Sequence, residues 1–281
     1  MHIFKEIAPL RAHLNALRAA PDSVGFVPTM GALHEGHMSL IRASQKNNSI
    51  TVCSIFVNPT QFNSEEDLAK YPRPMEQDLA LLEKESCDIA FCPQSREMYD
   101  DGRAISITFP GLDDILEGKF RPGHFSGVAQ VVAKLLNIVQ PDRAYFGQKD
   151  LQQAAIVSSL VKSLKMNVQL CVFPTVREPD GLAMSSRNQR LSPSERRRAV
   201  VLYNSLCKSR EALLAGTSIK AITEHVRGAC AQQDVRLEYL AVVDHKTFTL
   251  LDRVSDPGGV FVLIAANVGS VRLIDNLPLE P

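Results

Sequence analysis

Two histidines near the start of the chain have a spacing and a setting that could support chemistry. His34 and His37 lie in the segment VPTMGALHEGHMSL, where the apolar run Val24–Met30 is predicted to end and a helix to begin. A helix N-terminus presents backbone N–H groups and the positive end of the helix dipole, which together attract an anion such as phosphate. Gly31 and Gly36 allow a ligand close to the backbone because glycine has no Cβ atom. We therefore predict a nucleotide site in which imidazole groups face a polyphosphate.

Two other roles for this histidine pair stay open at the level of sequence. A zinc site is one, but the metalloprotease pattern places its histidines at i and i+4, whereas His34 and His37 are at i and i+3. Glu35 would be a third zinc ligand, yet on a helix it points away from a face shared by the two histidines. The other role is structural, in which the pair caps the helix and contacts nearby carboxylates. We favour the phosphate interpretation over both.

A second candidate phosphate-binding segment follows the strand-like run Arg143–Gln148. The segment GQKD, Gly147 to Asp150, opens the next helical pattern. It therefore offers another helix N-terminus, with Lys149 as a compact positive charge. Asp150 could cap that helix, bind ribose hydroxyls or approach a metal ion. A lysine beside an aspartate is common on protein surfaces, so this pattern is informative only together with the others.

A third candidate, MSSRN, lies in the polar stretch Glu178–Glu195. Ser185 and Ser186 supply hydroxyl donors, and Arg187 supplies a guanidinium that can bind a phosphate through two parallel hydrogen bonds. A solvated linker or a helix N-cap often has the same composition. The sequence alone does not decide between these interpretations.

Uncharged amide side chains follow the predicted strand ends. In FVNPTQF, Pro59 fixes the backbone of a tight turn that would direct Gln61 into a cleft, with Asn58 beside it. Gln153 occupies a comparable position early in the helix after GQKD. Ordinary turn and helix-surface roles are the alternative for all three amides. The segment RPGHFSGV, with His124 before a helix, is either a cleft-lining loop or a helix-entry turn.

The elements that would position these residues alternate between short apolar runs and helical patterns. Continuous apolar strands separated by helices predict an α/β fold, a Rossmann-like parallel sheet flanked by helices. In such sheets ligands bind at the carboxyl ends of the strands near the point where the strand order reverses, and the candidate residues follow strand ends. Residues 1–20 add a short strand and an amphipathic helix. The predicted strands are Val24–Met30, Ile50–Val57, Cys87–Pro93, Arg143–Gln148 and Asn167–Pro174, and the predicted helices are Gly36–Asn48, Pro74–Glu85, Ser126–Gln140 and Leu151–Lys165.

The character of the chain changes beyond residue 176, where a polar stretch precedes two helical patterns and three strand-like runs. We therefore predict a Rossmann-like nucleotide-binding domain at 1–176 and a smaller α+β domain at 177–281 that covers the active site. The helical patterns are Arg196–Ala215 and Ser218–Gln233, and the strand-like runs are Arg236–Val243, Val260–Ala266 and Ser270–Asp275.

Composition argues against several function classes. The 281 residues include 31 Lys and Arg and 31 Asp and Glu. No excess of positive charge therefore indicates binding to nucleic acid or to an anionic membrane. No apolar run approaches the roughly 20 residues that span a bilayer, and the N-terminus does not resemble a signal peptide. The six cysteines are scattered without a C-x-x-C pattern, which is typical of buried, reduced thiols in a cytoplasmic protein.

Six segments of the chain resemble the pantothenate synthetase family, the pantoate–β-alanine ligases. The segments are VPTMGALHEGHMSL, SIFVNPTQF, RPGHFSGV, FGQKDLQQ, DGLAMSSRN and RLIDN; they follow the family's order and cover essentially the whole chain. By this resemblance, His34 and His37 correspond to the HIGH-type motif of nucleotidyltransferases, and MSSRN corresponds to the KMSKS loop. That loop lacks a lysine here, as it does in the family, which leaves Lys149 and Arg187 as the main cations on the phosphates.

The resemblance implies a two-step reaction that uses ATP and Mg²⁺. The carboxylate of pantoate attacks the α-phosphate of ATP to give pantoyl adenylate and pyrophosphate, and the amine of β-alanine then displaces AMP. The resemblance also implies catalytic roles for His34, His37 and Lys149, no resident metal in the protein, and a homodimer. The implied ATP-binding residues are Met30, Gly31, Ala32, Leu33, His34, Glu35, Gly36, His37, Gly147, Gln148, Lys149, Asp150, Val176, Met184, Ser185, Ser186 and Arg187.

We expect amide side chains to hold the acid substrate for a physical reason. An arginine would neutralise the attacking carboxylate, whereas Gln61 and Gln153 can orient pantoate and leave its oxygen nucleophilic. Asn58 is grouped with them as a residue that binds pantoate or β-alanine.

Two rival functions stay open. One is a transferase that moves an adenylyl group onto a phosphorylated acceptor and stops there, which would need an additional cationic pocket. The other is a non-catalytic nucleotide sensor, which would not need the histidines, the lysine and the Ser-Ser-Arg run to converge.

Overall fold

The computed structural model of the protein describes residues 1–18, 22–99 and 105–280. The chain divides into two compact units, Met1–Gly147 with Gln152–Phe173, and Gln148–Leu151 with Pro174–Pro281. The short segment Gln148–Leu151, which contains the candidate Lys149, therefore groups with the C-terminal unit although it directly follows a strand of the first.

A parallel sheet forms the centre of the first unit and confirms the predicted α/β fold. Within the described residues its six strands are ordered β1-β4-β3-β2-β5-β6, and every neighbouring pair is parallel. The order reverses between β2 and β5, so the sheet has its switch point where these two strands end. The strands are β1 His2–Phe4, β2 Val24–Thr29, β3 Ile50–Ile55, β4 Ile89–Phe91, β5 Arg143–Gly147 and β6 Gln169–Phe173.

Apolar side chains on both faces of this sheet are buried, which explains why its strands have continuous rather than alternating hydrophobicity. Consecutive residues of β2, Phe26 and Val27, are both fully buried but belong to different core clusters. Val52 and Cys53 of β3 likewise belong to different core clusters. Because side chains alternate between the two faces of a strand, each face must have its own layer of helices.

Helices connect these strands. The predicted helical pattern Ser126–Gln140 is a helix that begins two residues earlier, at His124. The N-terminal strand and helix are also present, and the last two residues of the predicted stretch 1–20 lie outside the described residues. The helices from the N-terminus to β6 are α1 Ile7–Leu17, α2 Glu35–Asn47, α3 Glu65–Ala69, α4 Met75–Lys84, α5 Ser95–Met98, α6 Glu117–Phe120, α7 His124–Val139 and α8 Leu151–Ser163.

At Pro28, near the switch point, β2 is paired with β3 and no longer with β5. Pro28 pairs with Ser54 of β3 on one side. On the other side, β2 pairs with β5 only at Gly25 and Phe26. A proline has no N–H to donate to a ladder, so a central strand accepts it only where one neighbour has already separated. The β2–β5 pairing therefore ends before the loop that carries the histidine pair.

The second unit is the smaller α+β domain that the sequence predicts. In the part of it that the structure describes, an antiparallel sheet has the order β10-β9-β7-β8. Its last strand continues three residues beyond the predicted end at Asp275, so that Asp275 and Asn276 both lie inside the ladder. The elements are α9 Pro193–Ala199, α10 Val201–Leu214, α11 Ile219–Gln232, β7 Val235–Asp244, β8 Thr249–Leu250, β9 Val260–Val268 and β10 Val271–Pro278.

All six cysteines are free thiols. Burial raises the pKa of Cys87 to about 12 and the pKa of Cys92 to about 11, which favours the unreactive thiol form. Cys171 is only half-buried, because β6 is an edge strand of the parallel sheet. Among the residues that the structure describes, no helix has the length and hydrophobicity needed to cross a membrane.

Candidate functional site

The loop between β2 and α2 has a tightly constrained backbone. Gly31 has a φ of +78°, and a Cβ atom built there would lie 2.8 Å from Oδ2 of Asp78. Ala32 also has a positive φ, +49°, which is unusual for a residue with a side chain. The hydroxyl of Thr29 accepts a hydrogen bond from the Gly31 N–H (3.1 Å) and donates one to the Ser54 carbonyl (2.7 Å). The loop that leads to the histidines is thus held in one strained conformation.

The two histidines form a reciprocal cap at the start of α2. His34 is the N-cap, and its Nδ1 accepts a hydrogen bond from the Gly36 N–H at 3.2 Å. The N–H of His34 in turn donates to Nδ1 of His37 at 3.3 Å. An imidazole nitrogen that accepts a hydrogen bond carries no proton, so both rings are neutral with the proton on Nε2. The capping role anticipated as an alternative is therefore present, and it engages Nδ1 of each ring.

Asp78 braces the loop that carries the histidines, and the sequence does not indicate this role. This buried carboxylate on α4 accepts hydrogen bonds from the N–H groups of Ala32 (2.8 Å) and Leu33 (2.7 Å). Burial raises the pKa of Asp78, and the two N–H groups oppose that rise. In the sequence, Asp78 is simply an acidic residue in the first turn of a helix, which is too common a feature to indicate a bracing role.

The predicted amide residues Asn58 and Gln61 are brought together with Met30. A short 3₁₀ helix, Pro59–Gln61, forms the predicted tight turn, and Asn58 caps it. Gln61 is buried, and its Nε2 donates to Sδ of Met30 at 2.8 Å. Nδ2 of Asn58 donates to Oε1 of Gln61 at 3.1 Å and to the Gly127 carbonyl at 3.1 Å. The Met30 sulfur and the Gln61 amide therefore form one cluster with Asn58 behind it.

Further bonds hold the Asn58 side chain. Its Oδ1 accepts hydrogen bonds from the Tyr99 hydroxyl (2.7 Å) and from the Thr60 hydroxyl (3.1 Å). With both amide N–H donors also engaged, the hydrogen-bonding capacity of this amide is used inside the protein. Asn58 therefore fixes the orientation of Gln61.

His124 supports the same turn from the other side. It is the first residue of α7, after Gly123 in a left-handed conformation, so its segment is the helix-entry turn proposed as one of two alternatives. Its Nδ1 donates to the Gln61 carbonyl at 2.8 Å, and Nη1 of Arg121 lies 3.0 Å from its Nε2. A Cβ atom at Gly127 would lie 2.3 Å from the Thr60 carbonyl, so a glycine there permits α7 to contact the turn directly.

The two adjacent glutamines of α8 differ in their surroundings. Gln152 is buried: its Oε1 accepts from the Glu117 N–H (3.0 Å), and its Nε2 donates to the carbonyls of Leu112 (2.7 Å) and Ile115 (2.9 Å). Gln153, the predicted substrate residue, is half-buried. The structure thus distinguishes a buried, fully hydrogen-bonded glutamine from one that is partly exposed.

Lys149 lies in a 3₁₀ turn, Gln148–Asp150, that joins the end of β5 to α8. Its Nζ is 3.6 Å from Oδ1 of Asp150, whose side chain is about half exposed. Nδ2 of Asn276 donates to the carbonyls of Gln148 (2.9 Å) and Lys149 (3.0 Å). The last strand of the chain therefore fixes the backbone on which the candidate catalytic lysine is carried.

The remaining predicted nucleotide residues lie on a hairpin of the second unit and on the turn after it. The Met184 N–H donates to the Val176 carbonyl at 3.0 Å, and Arg177 pairs with Ala183 in an isolated antiparallel bridge. Ser185 then caps a 3₁₀ helix, Ser186–Arg190. The predicted N-cap alternative for MSSRN is therefore realised at Ser185.

Two groups of predicted residues result, one in each unit. In the first unit the structure places Met30 and Gln61 in contact and pairs His34 with His37. The second unit contains Asn276 together with Lys149, the Val176–Met184 pair and the segment Ser185–Arg187. Among the described residues, no cluster of three His, Cys, Asp or Glu side chains has the arrangement of a metal site.

Comparison with protein families gives a match over nearly the whole chain. The family model described as pantoate-beta-alanine ligase matches residues 2–278. The pantothenate synthetase of Acetivibrio thermocellus is 46% identical over 282 residues, which cover 100% of both chains. The pantothenate synthetase of Bacteroides thetaiotaomicron is also 46% identical, with 99% of this chain and 98% of the relative covered.

Solved structures give the same result. The pantothenate synthetase of Thermus thermophilus superposes with a TM-score of 0.92 at 43% identity and 100% coverage of both chains. The pantoate-beta-alanine ligase of Francisella tularensis, complexed with beta-gamma ATP and beta-alanine, has a TM-score of 0.85 at 35% identity, covering 100% of this chain and 98% of that one. Family model, relatives and structures agree over the full length, and the chain belongs to the pantoate–β-alanine ligase family, the pantothenate synthetases.

Proposed function

We propose that the protein joins pantoate to β-alanine with ATP, through a pantoyl adenylate, and releases AMP and pyrophosphate. This reaction yields pantothenate, which is vitamin B5 and a precursor of coenzyme A. Membership of the family supports the overall reaction, and the bound beta-gamma ATP and beta-alanine of the Francisella tularensis relative support two of the substrates.

The observation that carries the proposal for the first step is the reciprocal cap of His34 and His37. Both Nδ1 atoms accept backbone N–H groups, which leaves the proton of each neutral ring on Nε2. Two N–H donors at a helix N-terminus suit the phosphates of ATP, where negative charge develops as the α-phosphate is attacked. Because the cap fixes both rings before ATP binds, these donors need little reorganisation during the reaction.

Residues of the second unit are proposed to act on the same phosphates. Lys149 and Arg187 supply positive charge, and Ser185 and Ser186 supply hydroxyl donors. In phosphoryl chemistry of this kind the protein contributes mainly positioning and charge stabilisation, so fixed cations are the groups with the largest expected effect.

Mg²⁺ fits this proposal as part of the ATP complex. Mg²⁺ prefers hard oxygen ligands and is usually held by one or two carboxylates together with substrate phosphates. The Asp150 carboxylate beside Lys149 is a carboxylate of that kind, and a three-residue protein cluster is not required. When bound, Mg²⁺ would neutralise part of the phosphate charge.

Pantoate is proposed to be oriented by Gln61 and Gln153. An amide can donate a hydrogen bond without removing the negative charge that makes the carboxylate oxygen nucleophilic, whereas an arginine would neutralise it. The sequence groups Asn58 with these residues, and its saturated hydrogen bonds support a role through Gln61 instead. In the first step a pantoate oxygen bonds to the α-phosphorus and pyrophosphate leaves. In the second, the β-alanine nitrogen bonds to the acyl carbon, loses a proton and displaces AMP.

The partial reaction tests this proposal. With pantoate and Mg²⁺ present and β-alanine absent, the protein should exchange labelled pyrophosphate into ATP, because adenylation precedes attack by the amine. A requirement for β-alanine in this exchange would contradict the two-step route. Free AMP should form only when both pantoate and β-alanine are present. An adenylyl transferase would release pyrophosphate and keep the AMP moiety on its acceptor, and a non-catalytic nucleotide sensor would release neither. The absence of free AMP with both substrates present would therefore favour one of these rival functions.

We also propose that the protein is a cytoplasmic homodimer. Family resemblance is the support for both statements. Sedimentation of the purified protein would show a species of about twice the 31.0 kDa chain mass if the dimer forms.

A further inference from the structure

The segment RLIDN near the end of the chain has no role in the reaction proposed above. Its last two residues, Asp275 and Asn276, are 3% and 2% exposed and lie in β10. Buried polar side chains must find partners, or their desolvation destabilises the fold. The partners of these two residues lie in the two segments of the second unit that carry predicted phosphate-binding groups.

Asn276 holds the turn of Lys149. Its Nδ2 donates to the carbonyls of both Gln148 and Lys149, at 2.9 and 3.0 Å, and its Oδ1 lies 3.5 Å from Nε2 of Gln148. Those two carbonyls lie on either side of the Lys149 Cα atom. One amide therefore fixes the backbone from which the lysine side chain projects.

Asp275 holds the hairpin of Val176–Met184 through Arg177. The two carboxylate oxygens accept from both terminal nitrogens of Arg177, at 2.6 and 2.9 Å. Arg177 also donates to the Gly181 carbonyl across the hairpin (3.1 Å), and its guanidinium lies over the ring of Tyr203, 4.5 Å from the centroid. The hairpin that leads into Ser185–Arg187 is thus attached to β10 by a partly buried ion pair.

The two attachments are linked to each other. Oδ1 of Asp275 accepts a hydrogen bond from the Asn276 N–H at 2.7 Å, and the Asn276 carbonyl accepts one from Arg177 at 3.0 Å. β10 is an edge strand of its sheet, so its outer backbone groups are available for such bonds. Adjacent residues on one rigid strand therefore set the relative positions of the lysine turn and the hairpin.

We propose that Asp275 and Asn276 are positioning residues for adenylation. Asn276 sets the position of Lys149, and Asp275, through Arg177, sets the position of the segment Ser185–Arg187. This inference rests on the proposed role of Lys149 in the first step. Misplacement of a catalytic group by about 1 Å can lower a rate about 10²-fold, so a residue that never touches substrate can have a large kinetic effect.

The test compares the two half-reactions in Asn276→Ala. Pyrophosphate exchange with pantoate reports adenylation, and the reaction of supplied pantoyl adenylate with β-alanine reports the second step. We expect exchange to fall about 10- to 100-fold and the second step to change less than about threefold, since charge builds on the phosphates mainly in the first step. Equal losses in both half-reactions would overturn the proposal. Asn276→Ser, which retains a small polar group at the buried position, serves if the alanine variant does not fold.

Asn267→Ala is a matched control in the same sheet. Nδ2 of Asn267, on β9, donates to Oε1 of Glu238 at 2.7 Å, which is also a side-chain hydrogen bond of a partly buried amide. The control should lower the melting temperature comparably and leave the ratio of the two half-reactions at the wild-type value. A ratio that shifts equally in Asn267→Ala and Asn276→Ala would mean that general loosening of the sheet is the cause, and the positioning role would be wrong.

A double-mutant cycle separates this inference from the proposed function on which it rests. If Lys149→Ala alone leaves exchange unchanged, the proposed role of Lys149 fails, and that result is visible before the cycle is evaluated. If Lys149→Ala lowers exchange, adding Asn276→Ala should lower it by less than about a further threefold, because the group that Asn276 positions is already gone. Fully multiplicative effects would overturn the positioning role and leave the role of Lys149 intact.

Discussion

A buried aspartate holds the histidine loop of the first unit, whereas in the second unit a buried aspartate holds the hairpin and its neighbour Asn276 holds the lysine turn. Asp78 accepts two backbone N–H groups from residues 45 and 46 positions away in the chain. Asp275 instead forms an ion pair with Arg177, 98 positions away, and its neighbour Asn276 reaches the lysine turn over 127 and 128 positions. The first region therefore has much of its geometry in its own segment, while the second depends on a strand from the far end of the chain.

This difference predicts how each region would respond to substitution. In the first, Gly31 and Ala32 have positive φ, and the histidine cap is local to the helix start. In the second, the turn and the hairpin each depend on a separate bond to β10. We therefore expect substitutions of the candidate phosphate-binding residues to lower activity in both regions. Substitutions of the two aspartates should lower the free energy of unfolding by different amounts.

The largest effect is expected for Lys149→Ala. This change removes a fixed positive charge that meets negative charge developing on the phosphates, so kcat should fall by about 10²-fold or more. The melting temperature should hardly change, because the lysine side chain contributes little to the core. Steady-state AMP formation and thermal unfolding measure both quantities. If the melting temperature drops together with activity, Lys149 is structural and the second region is misinterpreted.

A somewhat smaller effect, about 10- to 100-fold, is expected for His37→Ala. Loss of an Nε2 donor should impair pyrophosphate exchange far more than the reaction of supplied pantoyl adenylate with β-alanine. Metal analysis provides the control against a zinc role: the purified enzyme should contain no stoichiometric zinc, and chelation followed by Mg²⁺ should restore full activity. Zinc that is bound by the wild type and lost in His34→Ala would contradict the phosphate role.

The two aspartates provide a direct comparison of stability. Asp275→Asn leaves the partly buried Arg177 guanidinium without its counter-charge, so we expect a loss of about 3 kcal/mol in the free energy of unfolding, the lower end of the range for a buried pair. Asp78→Asn removes one acceptor from a pair of backbone N–H groups and should cost about 1–3 kcal/mol. Urea unfolding at pH 7 measures both losses. If Asp78→Asn lowers the free energy of unfolding by more than Asp275→Asn does, the histidine loop depends on its aspartate more than the hairpin does, and the expected order is wrong.

The smallest effect concerns pH. The folded-state pKa of Asp78 is raised above its ordinary value of about 4, so the folded protein binds this proton more tightly than the unfolded chain does. This group therefore makes the free energy of unfolding fall as pH rises from about 4 through the folded-state pKa. Asp78→Asn should remove that decrease, seen as a flatter dependence on pH than the wild type in parallel urea titrations. A steeper decrease in the variant would contradict the assigned direction.

Much of the fold could be predicted because the relevant signals are local. Continuous apolar strands such as Ile50–Ile55 and helical periodicity such as that of α7 indicate a parallel sheet with two helical layers. Strand ends were less predictable: β4 has only three residues, and β10 continues to Pro278. Pairing with a neighbour, rather than hydrophobicity, decides where a strand stops.

The sequence by itself determined which residues are candidates for phosphate binding, because their types and their positions after strand ends are those expected of such segments: His34, His37, Lys149 and the MSSRN run. Only the tertiary structure identified the residues that hold them, since Asp78, Asp275 and Asn276 are ordinary polar residues within a helix and a strand. It also showed that Gln152 is hydrogen-bonded inside the protein, whereas its neighbour Gln153 is partly exposed, and that the side chain of Asn58 forms its hydrogen bonds with other residues of the chain. Hydrogen bonds between residues up to 128 positions apart depend on how the chain folds back on itself, and no local pattern encodes them.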